Sequence, residues 1–444
     1  MRLKNKIAFL FVLFICIESS FGQETDSIEI KIDGYVNSYL EMNAWSGVIS
    51  IYSNKNQVFQ KAYGLADREW QILNTVDTRF RIASISKVFT EVAILKLVED
   101  GKISLDEKLS DFILDFPRGN EITIKQLLTH RSGIPHLNSF PNYNELIKQP
   151  YDINELIDLF KFKLLDFEPG ERYRYSNSGY VLLVYIIEKV TGKTYEQFLQ
   201  QEIFDKVGLK NTGVDNNQKI LEKRANGYMF DNRGHLVNAD YVDMSIKVGG
   251  GSLYSTANDL HIFINNLFQN KLLTTTLPEL PNFNELNGKK VFSANGRVQG
   301  FCHQITHFID EDFTIIILGN HYSNIALPIS EDVYKIYKNE DYKTPKNYLF
   351  QRVEVPIDKL KEYEGSYDFG FGPIGVVKVI ENELYYSLPG KNSFDNLIPL
   401  GNDIFFYIQN WVLLKFRKNE NDNYQYLDWI MGDNVYPAEK IRSN

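Results

Sequence analysis

The sequence predicts a mixed α/β (α+β type) layer architecture, one sheet built from distant segments around a helical middle, followed by a small all-β domain. Three observations predict it. Alternating segments SGVISIYSN (46–54) and QVFQKAYG (57–64) read as a hairpin near the start. GFCHQITHFI (300–309) and FTIIILGN (313–320) have the same character, and ALPISEDVYKIYKN (326–339) follows them as a closing helix. From about residue 360 the pattern changes to short strand-like runs, among them GVVKVIE, ELYYSLPG, DIFFYIQ, VLLKFRKN and YQYLDWIMGD, split by Gly, Asn and Asp turns.

Taken in order, residues 1–22 read as a secretion signal. Arg2, Lys4 and Lys6 precede the apolar run Ile7–Ile17, and Ser20-Phe21-Gly22 offers small residues for cleavage before Gln23. The apolar run is too short to span a membrane. Cys16 follows Ile15, where lipoprotein processing wants a small residue. The expected product is an exported protein, periplasmic or secreted, in which Cys302 is the sole cysteine and no internal disulfide can form. The first module is expected over 23–339, a charged linker with Pro345 and Pro356 over 340–359, and the β domain over 360–444. That last domain has no His and no Cys, and it reads as accessory. A hydrophobic fraction of 43% with 14% aromatics points to a packed chain, and a formal net charge of -9 argues against a nucleic-acid partner.

The chemistry concentrates in Ser84-Ile85-Ser86-Lys87, at the head of the amphipathic run Arg81–Gly101. If Ser84 opens a helix, Lys87 lies one turn on, on the same face, and can help remove the hydroxyl proton. S-x-x-K alone is a common pattern. Tyr175-Ser176-Asn177 precedes a second helix that begins near Ser178. A tyrosine beside a lysine can carry protons, and an asparagine offers both donor and acceptor to a substrate amide. Read alone, the tripeptide favours Tyr175 as a core residue and Asn177 as a helix cap. His303 and His307 have the spacing of a helical zinc pair, but on a strand they sit about 13 Å apart. No metal and no cofactor is expected.

Together Ser84-x-x-Lys87, LLTHRSGI (127–134), Pro169-Gly170 before Tyr175-Ser176-Asn177, and GGGSLYSTANDLHIFINNLFQNKLL (249–273) resemble the serine β-lactamase and penicillin-binding-protein superfamily. The branch is that of class C β-lactamases, D-alanyl-D-alanine carboxypeptidases, D-aminopeptidases and related esterases. The resemblance implies an antiparallel β-lactamase-like sheet flanked by helices with an inserted helical lobe, and a lipocalin-like barrel at the end. It implies that Ser84 is the nucleophile, that Lys87 and Tyr175 share proton transfer as a coupled unit, and that Asn177 holds the substrate amide. His130 is structural in the family.

The third family motif, Lys or His, a small residue, then Gly, falls on Ala294-Asn295-Gly296, so the cation is missing. Its backbone role survives if the N–H groups of Ser84 and Arg297 form the oxyanion hole, with Asn295, Gly296 and Arg297 edging the substrate site. Arg297 could replace the lost charge, or be a solvated strand arginine. The reading is an exported serine hydrolase cleaving an amide or ester through an acyl-Ser84 intermediate, on small D-amino-acid peptides or esters. A class C-type β-lactamase and an inactive penicillin-binding-like envelope protein are the alternatives.

Overall fold

The computed structural model describes residues 28–275, 280–286, 288–370, 374–388 and 394–441. The expected signal segment, 1–22, lies outside the described residues. The first module is organised on a six-stranded antiparallel sheet. Its strands are β1 (Gly47–Ser53), β2 (Asn56–Tyr63), β3 (Phe283–Leu286), β4 (Lys289–Val298), β5 (Phe301–Phe308) and β6 (Phe313–Gly319), in the spatial order β3-β4-β5-β6-β1-β2. β1 pairs with β6 from Gly47↔Gly319 to Ser53↔Phe313, which closes the two ends of the module onto each other. Every residue of β5 and β6 is buried, because both faces of the sheet are covered.

One face carries the helix over residues 28–41 and α4 (Ala326–Tyr337). Ile32, Val36, Ile329 and Val333 pack there against Ile49, Ile51, Ile315 and Ile317. On the other side α1 (Ser86–Glu99), α2 (Asn177–Thr191) and α3 (Ala257–Phe268) share one core in which α3 lies against β1 and β6, Phe89 of α1 stacks on Phe263 of α3 and α2 packs on α1, with Ile316, Leu318 and Val48 joined to Val92 and Leu183. A residue such as Val92 or Leu183, fully removed from water, is worth about 2 kcal/mol of burial.

α1 is buried on all sides rather than amphipathic: from Ser86 to Leu97 only Lys96 is not buried. Sandwiched between sheet and lobe it has no wet face, so its polar residues Lys87, Thr90 and Glu91 point into the protein. α2 ends where Gly192 takes φ 66°, a left-handed cap that suits glycine. Short lobe helices start at reciprocal caps: Thr123 with Gln126, Asp152 with Glu155, and Thr194 with Gln197. Each such cap contributes about 1 kcal/mol.

The second module is a nine-stranded antiparallel sheet bent almost into a barrel. Its strands are β7 (Gly365–Asp368), β8 (Gly375–Ile380), β9 (Glu383–Ser387), β10 (Asp395–Asn396), β11 (Ile398–Gly401), β12 (Ile404–Tyr407), β13 (Val412–Lys418), β14 (Tyr424–Met431) and β15 (Asn434–Ile441). They run in the order β10-β9-β8-β7-β15-β14-β13-β12-β11. The two ends of the sheet, β10 and β11, are separated in sequence by Leu397 alone, so the ribbon nearly meets itself. Tyr363, Tyr367, Tyr386, Tyr407, Phe405 and Phe416 fill its interior.

The modules touch through the turn at 408–411. Trp411 stacks on Phe230 with ring centroids 5.7 Å apart, and Asn324 N–H donates to the Asn410 carbonyl at 2.9 Å. Lys335 of α4 pairs with Asp433 at 2.8 Å.

Candidate active site

Ser84 lies in a tight turn, Ala83–Ile85, just before α1 rather than in its first turn. Ala83 takes φ 49°, a strained value for a residue with a side chain, immediately before the serine. The approach to this turn is a small three-stranded sheet in which Leu253–Ser255 sits between Phe80–Arg81 and Gly213–Val214. The Ile82 N–H donates to the Leu253 carbonyl at 2.9 Å, so the serine turn is clamped against the strand that follows Gly251. Arg81 is held by the fully buried carboxylate of Asp215 at 2.7 Å, which also binds Arg224. The ring of His303 joins the main sheet to this segment: Nε2 bonds the Arg81 carbonyl at 2.7 Å and Nδ1 accepts the Gly319 N–H at 3.2 Å. That hydrogen-bonding uses both nitrogens of His303 structurally. His307 Nδ1 is engaged by Thr314 Oγ1 at 2.9 Å.

Ser84, Lys87 and Tyr175 converge. Ser84 Oγ is 2.9 Å from Tyr175 Oη and 3.4 Å from Lys87 Nζ, although Tyr175 is distant in sequence. Lys87 Nζ also donates to the Gly250 carbonyl at 2.6 Å and to Asn177 Oδ1 at 2.8 Å, and it lies 4.8 Å from the centre of the Tyr175 ring. These two oxygens only accept. A neutral amine satisfies them with its two N–H bonds and turns its lone pair to Ser84, while an ammonium puts a third N–H there. The same geometry therefore serves both protonation states.

Burial brings the neutral amine within reach near pH 7. Burial pushes Lys87 down to about 7, opposed by the negative charge of Glu91. Burial pushes the Tyr175 phenol up to about 12, with the Ser84 hydrogen bond pulling it back. Tyr175 is then a neutral phenol near pH 7, and Lys87 is the group that exchanges a proton there.

The backbone of Tyr175-Ser176-Asn177 is fixed by two histidines. His130 Nδ1 accepts the Ser176 N–H at 3.2 Å, and His136 Nδ1 accepts the Asn177 N–H at 3.1 Å. Burial lowers both imidazoles, His136 to about 3, so they are neutral acceptors. Asn177 opens α2 but does not cap it. Its carboxamide spans Lys87 and Asn138, with Nδ2 donating to Asn138 Oδ1 at 3.0 Å, which leaves one amide hydrogen for a ligand.

On the far side of Ser84 lies β4. Ala294, Gly296 and Val298 face inward, while Asn295 and Arg297 face the other way. Ala294 is buried in the core, and Gly296 lies against the serine turn so closely that a Cβ would sit 2.3 Å from the Ile82 carbonyl oxygen and 3.2 Å from the Ser84 nitrogen. Arg297 therefore does not occupy the face vacated by the missing family cation. Its Nη1 donates to Asn324 Oδ1 at 2.5 Å and Asn410 Oδ1 at 2.6 Å, and its guanidinium lies 5.1 Å from the centre of the Tyr322 ring.

These groups border one cleft of about 450 Å³, lined by Ser84, Tyr175, Asn177, Asn295, Gly296 and Arg297, with Asn138, Tyr143 and Tyr322 across from them. Cys302 also borders it, buried, with its thiol pushed up to about 11 by burial. Leu388 and Met431 of the second module complete the wall. The β domain, expected to be accessory, thus lines the cleft and holds Arg297 through Asn410, because the 408–411 turn is inserted against the first module. The Gly250 carbonyl, His136, Asn138, Asn324 and Asn410 were not identifiable as site residues in advance. Only the glycine triplet at 249–251 carries a sequence signal, as part of the family pattern over 249–273.

Comparison with known proteins agrees with this geometry. The sequence model of the Beta-lactamase family matches residues 32–300. A putative penicillin-binding protein, PbpX, of Bacillus subtilis (strain 168) is 31% identical over 320 residues, covering 69% of this chain and 78% of that protein. A teichoic acid D-alanine hydrolase of Staphylococcus aureus (strain NCTC 8325 / PS 47) is 26% identical over 323 residues, 70% of this chain and 79% of its own. The crystal structure of D-amino acid amidase from Ochrobactrum anthropi SV3 complexed with L-phenylalanine amide superposes with a TM-score of 0.62 at 25% identity, covering 70% of this chain and 99% of that one. With the convergence of Ser84, Lys87 and Tyr175 on one cleft, the match over residues 32–300 places this chain in the β-lactamase family, among the serine hydrolases related to penicillin-binding proteins.

Proposed function

We propose that the protein is an exported serine hydrolase that cleaves an ester or amide of a small D-amino-acid derivative through an acyl-Ser84 intermediate. The observation that carries the reading is the placement of Ser84 Oγ within 2.9 Å of Tyr175 Oη and 3.4 Å of Lys87 Nζ at the cleft. Neutral Lys87 takes the Ser84 proton, directly or through the Tyr175 hydroxyl, as the Oγ–carbon bond forms. The oxyanion is met by the N–H groups of Ser84 and Arg297, on the two segments that meet at Gly296. The bond to the leaving group then breaks, and the proton passes from Lys87 or Tyr175 to the departing oxygen or nitrogen. In the second half a water gives its proton to the same pair, attacks the acyl-serine and restores Ser84.

The charge of the cleft refines the substrate class. Among its described lining residues none is a carboxylate and Arg297 is the one cation. Arg297 can meet an anionic group of a substrate there. The teichoic acid D-alanine hydrolase and the D-amino acid amidase, as relatives, support a D-amino-acid acyl group. Burial of Ala294 in the core, in place of the family cation, weighs against a β-lactamase.

Intact-mass labelling with a fluorophosphonate tests the reading. One adduct on the wild type and none on Ser84→Ala is expected. An unlabelled wild type, or a labelled Ser84→Ala, overturns it. Turnover of p-nitrophenyl esters and D-amino-acid p-nitroanilides, each with free and acylated amine, then identifies the bond and the substrate charge.

A further inference from the structure

Glu91 has no part in the chemistry above, yet it is the least expected residue of α1. It is 2% exposed in a helix whose next four residues are Val92, Ala93, Ile94 and Leu95. A carboxylate there carries a large desolvation cost, and an apolar residue of similar size would cost the fold less. Glu91 lies one helical turn beyond Lys87, itself 5% exposed, so the two side chains leave the same face of α1. Tyr180 of α2 touches both. Its hydroxyl donates to Glu91 Oε1 at 2.5 Å, and its ring centre is 5.0 Å from Lys87 Nζ. Glu91 Oε2 is buried with no hydrogen-bond partner.

We propose that Glu91 is a positioning residue acting through Lys87: its carboxylate favours the ammonium form of that buried lysine and so places the pH at which Ser84 becomes reactive. The inference rests on the reading of Ser84 as nucleophile and Lys87 as its base.

The surrounding groups leave Glu91 alone in this role. Lys87 is faced by Glu91 on its own helix, by Tyr175 and Tyr180, by His130 and His136 from the lobe, and by Lys247 from the loop before the glycines. Glu91 is faced by Lys87, Tyr180, Tyr175, Tyr173 and by Tyr195 from the Tyr195–Leu199 helix. Burial raises all four phenols and lowers both imidazoles, so these six groups are uncharged near pH 7. Lys247 is lowered by burial and then by Lys87, and it can only add positive charge. Glu91 is thus the one group in this shell able to be negative. Burial raises it to about 7, opposed by the Tyr180 hydrogen bond and by Lys87. An ionised Glu91 raises Lys87, so its removal lets Lys87 lose its proton at lower pH.

The test is the pH dependence of the fluorophosphonate labelling rate of the full chain, for wild type, Glu91→Gln and Tyr180→Phe. The wild-type rate should rise with pH. In Glu91→Gln the half-maximal pH should move down by about 1 unit, so that one unit below the wild-type midpoint the variant reaches about fivefold more of its own plateau. Tyr180→Phe, which removes the bond that favours the Glu91 anion, should move the midpoint the same way by less; it decides the question if Glu91→Gln does not fold. A midpoint unchanged or moved upward in the folded variants overturns the proposal, as does a lower plateau with no shift, which is what a purely structural role predicts. Failure of the wild type to label at any pH, or labelling of Ser84→Ala, would instead overturn the underlying reading of the site.

Discussion

Gly296→Ala places one methyl group between the two strands of chemistry. The added Cβ would lie 2.3 Å from the Ile82 carbonyl oxygen, a backbone atom that cannot rotate away, and 3.2 Å from both the Ser84 and Ile85 nitrogens. Reaching even 3.0 Å requires β4 and the serine turn to part by about 0.7 Å at that oxygen. The serine turn has little freedom to yield. Ala83 is already at φ 49°, and the Ile82 N–H and Arg81 carbonyl are tied to Leu253 and His303. Overpacking of this kind costs about 1–3 kcal/mol of stability. The kinetic cost should be of the same order, because the N–H groups of Ser84 and Arg297 would separate. A misplacement near 1 Å at a reacting centre costs about 100-fold, or about 2.7 kcal/mol of barrier. The measurement is the second-order rate of fluorophosphonate labelling, with circular dichroism to confirm a folded variant at the assay temperature. A folded Gly296→Ala that labels at the wild-type rate would refute the claim that β4 and the serine turn are in contact at this glycine.

Two further outcomes follow from contacts outside the reacting atoms. Asp215→Asn removes the carboxylate that binds both Arg81 and Arg224, whose side chains are themselves only 15% and 22% exposed; the loss should cost about 3 kcal/mol and lower the melting temperature by roughly 6 °C. A melting curve unchanged by the substitution would count against that ion pair as a support of the serine turn. Asn410→Ala removes the second-module partner of Arg297 and should raise KM for a carboxylate-bearing ester about fivefold, with a smaller change for its neutral analogue. Equal effects on the two esters would show that Arg297 does not meet the substrate charge.

Much of the architecture was legible in the chain because its signals are local. Alternation at 46–64 and 300–320 reports strands, and these became β1, β2, β5 and β6. Ser84, Lys87 and Tyr175 were legible only as members of a family pattern, since nothing local distinguishes Tyr175 from a core tyrosine. The expectation of an amphipathic α1 failed for a physical reason: periodicity reports how many faces of a helix are wet, and here none is. Its polar positions then mark an internal polar site, a signal readable in Lys87, Thr90 and Glu91 once the helix is known to be buried.

By itself the sequence determined the strand and helix periods, the turn glycines, the serine and lysine one turn apart, and the absence of a cation at 294, all of which are properties of neighbouring residues. Only the tertiary structure decided which groups complete the site. The Gly250 carbonyl and Asn177 orient Lys87, two histidines hold the tyrosine loop, and Asn410 arrives from the second module to fix Arg297. Backbone carbonyls have no sequence signature, and a contact between residues 113 apart is set by how two cores dock rather than by any local preference.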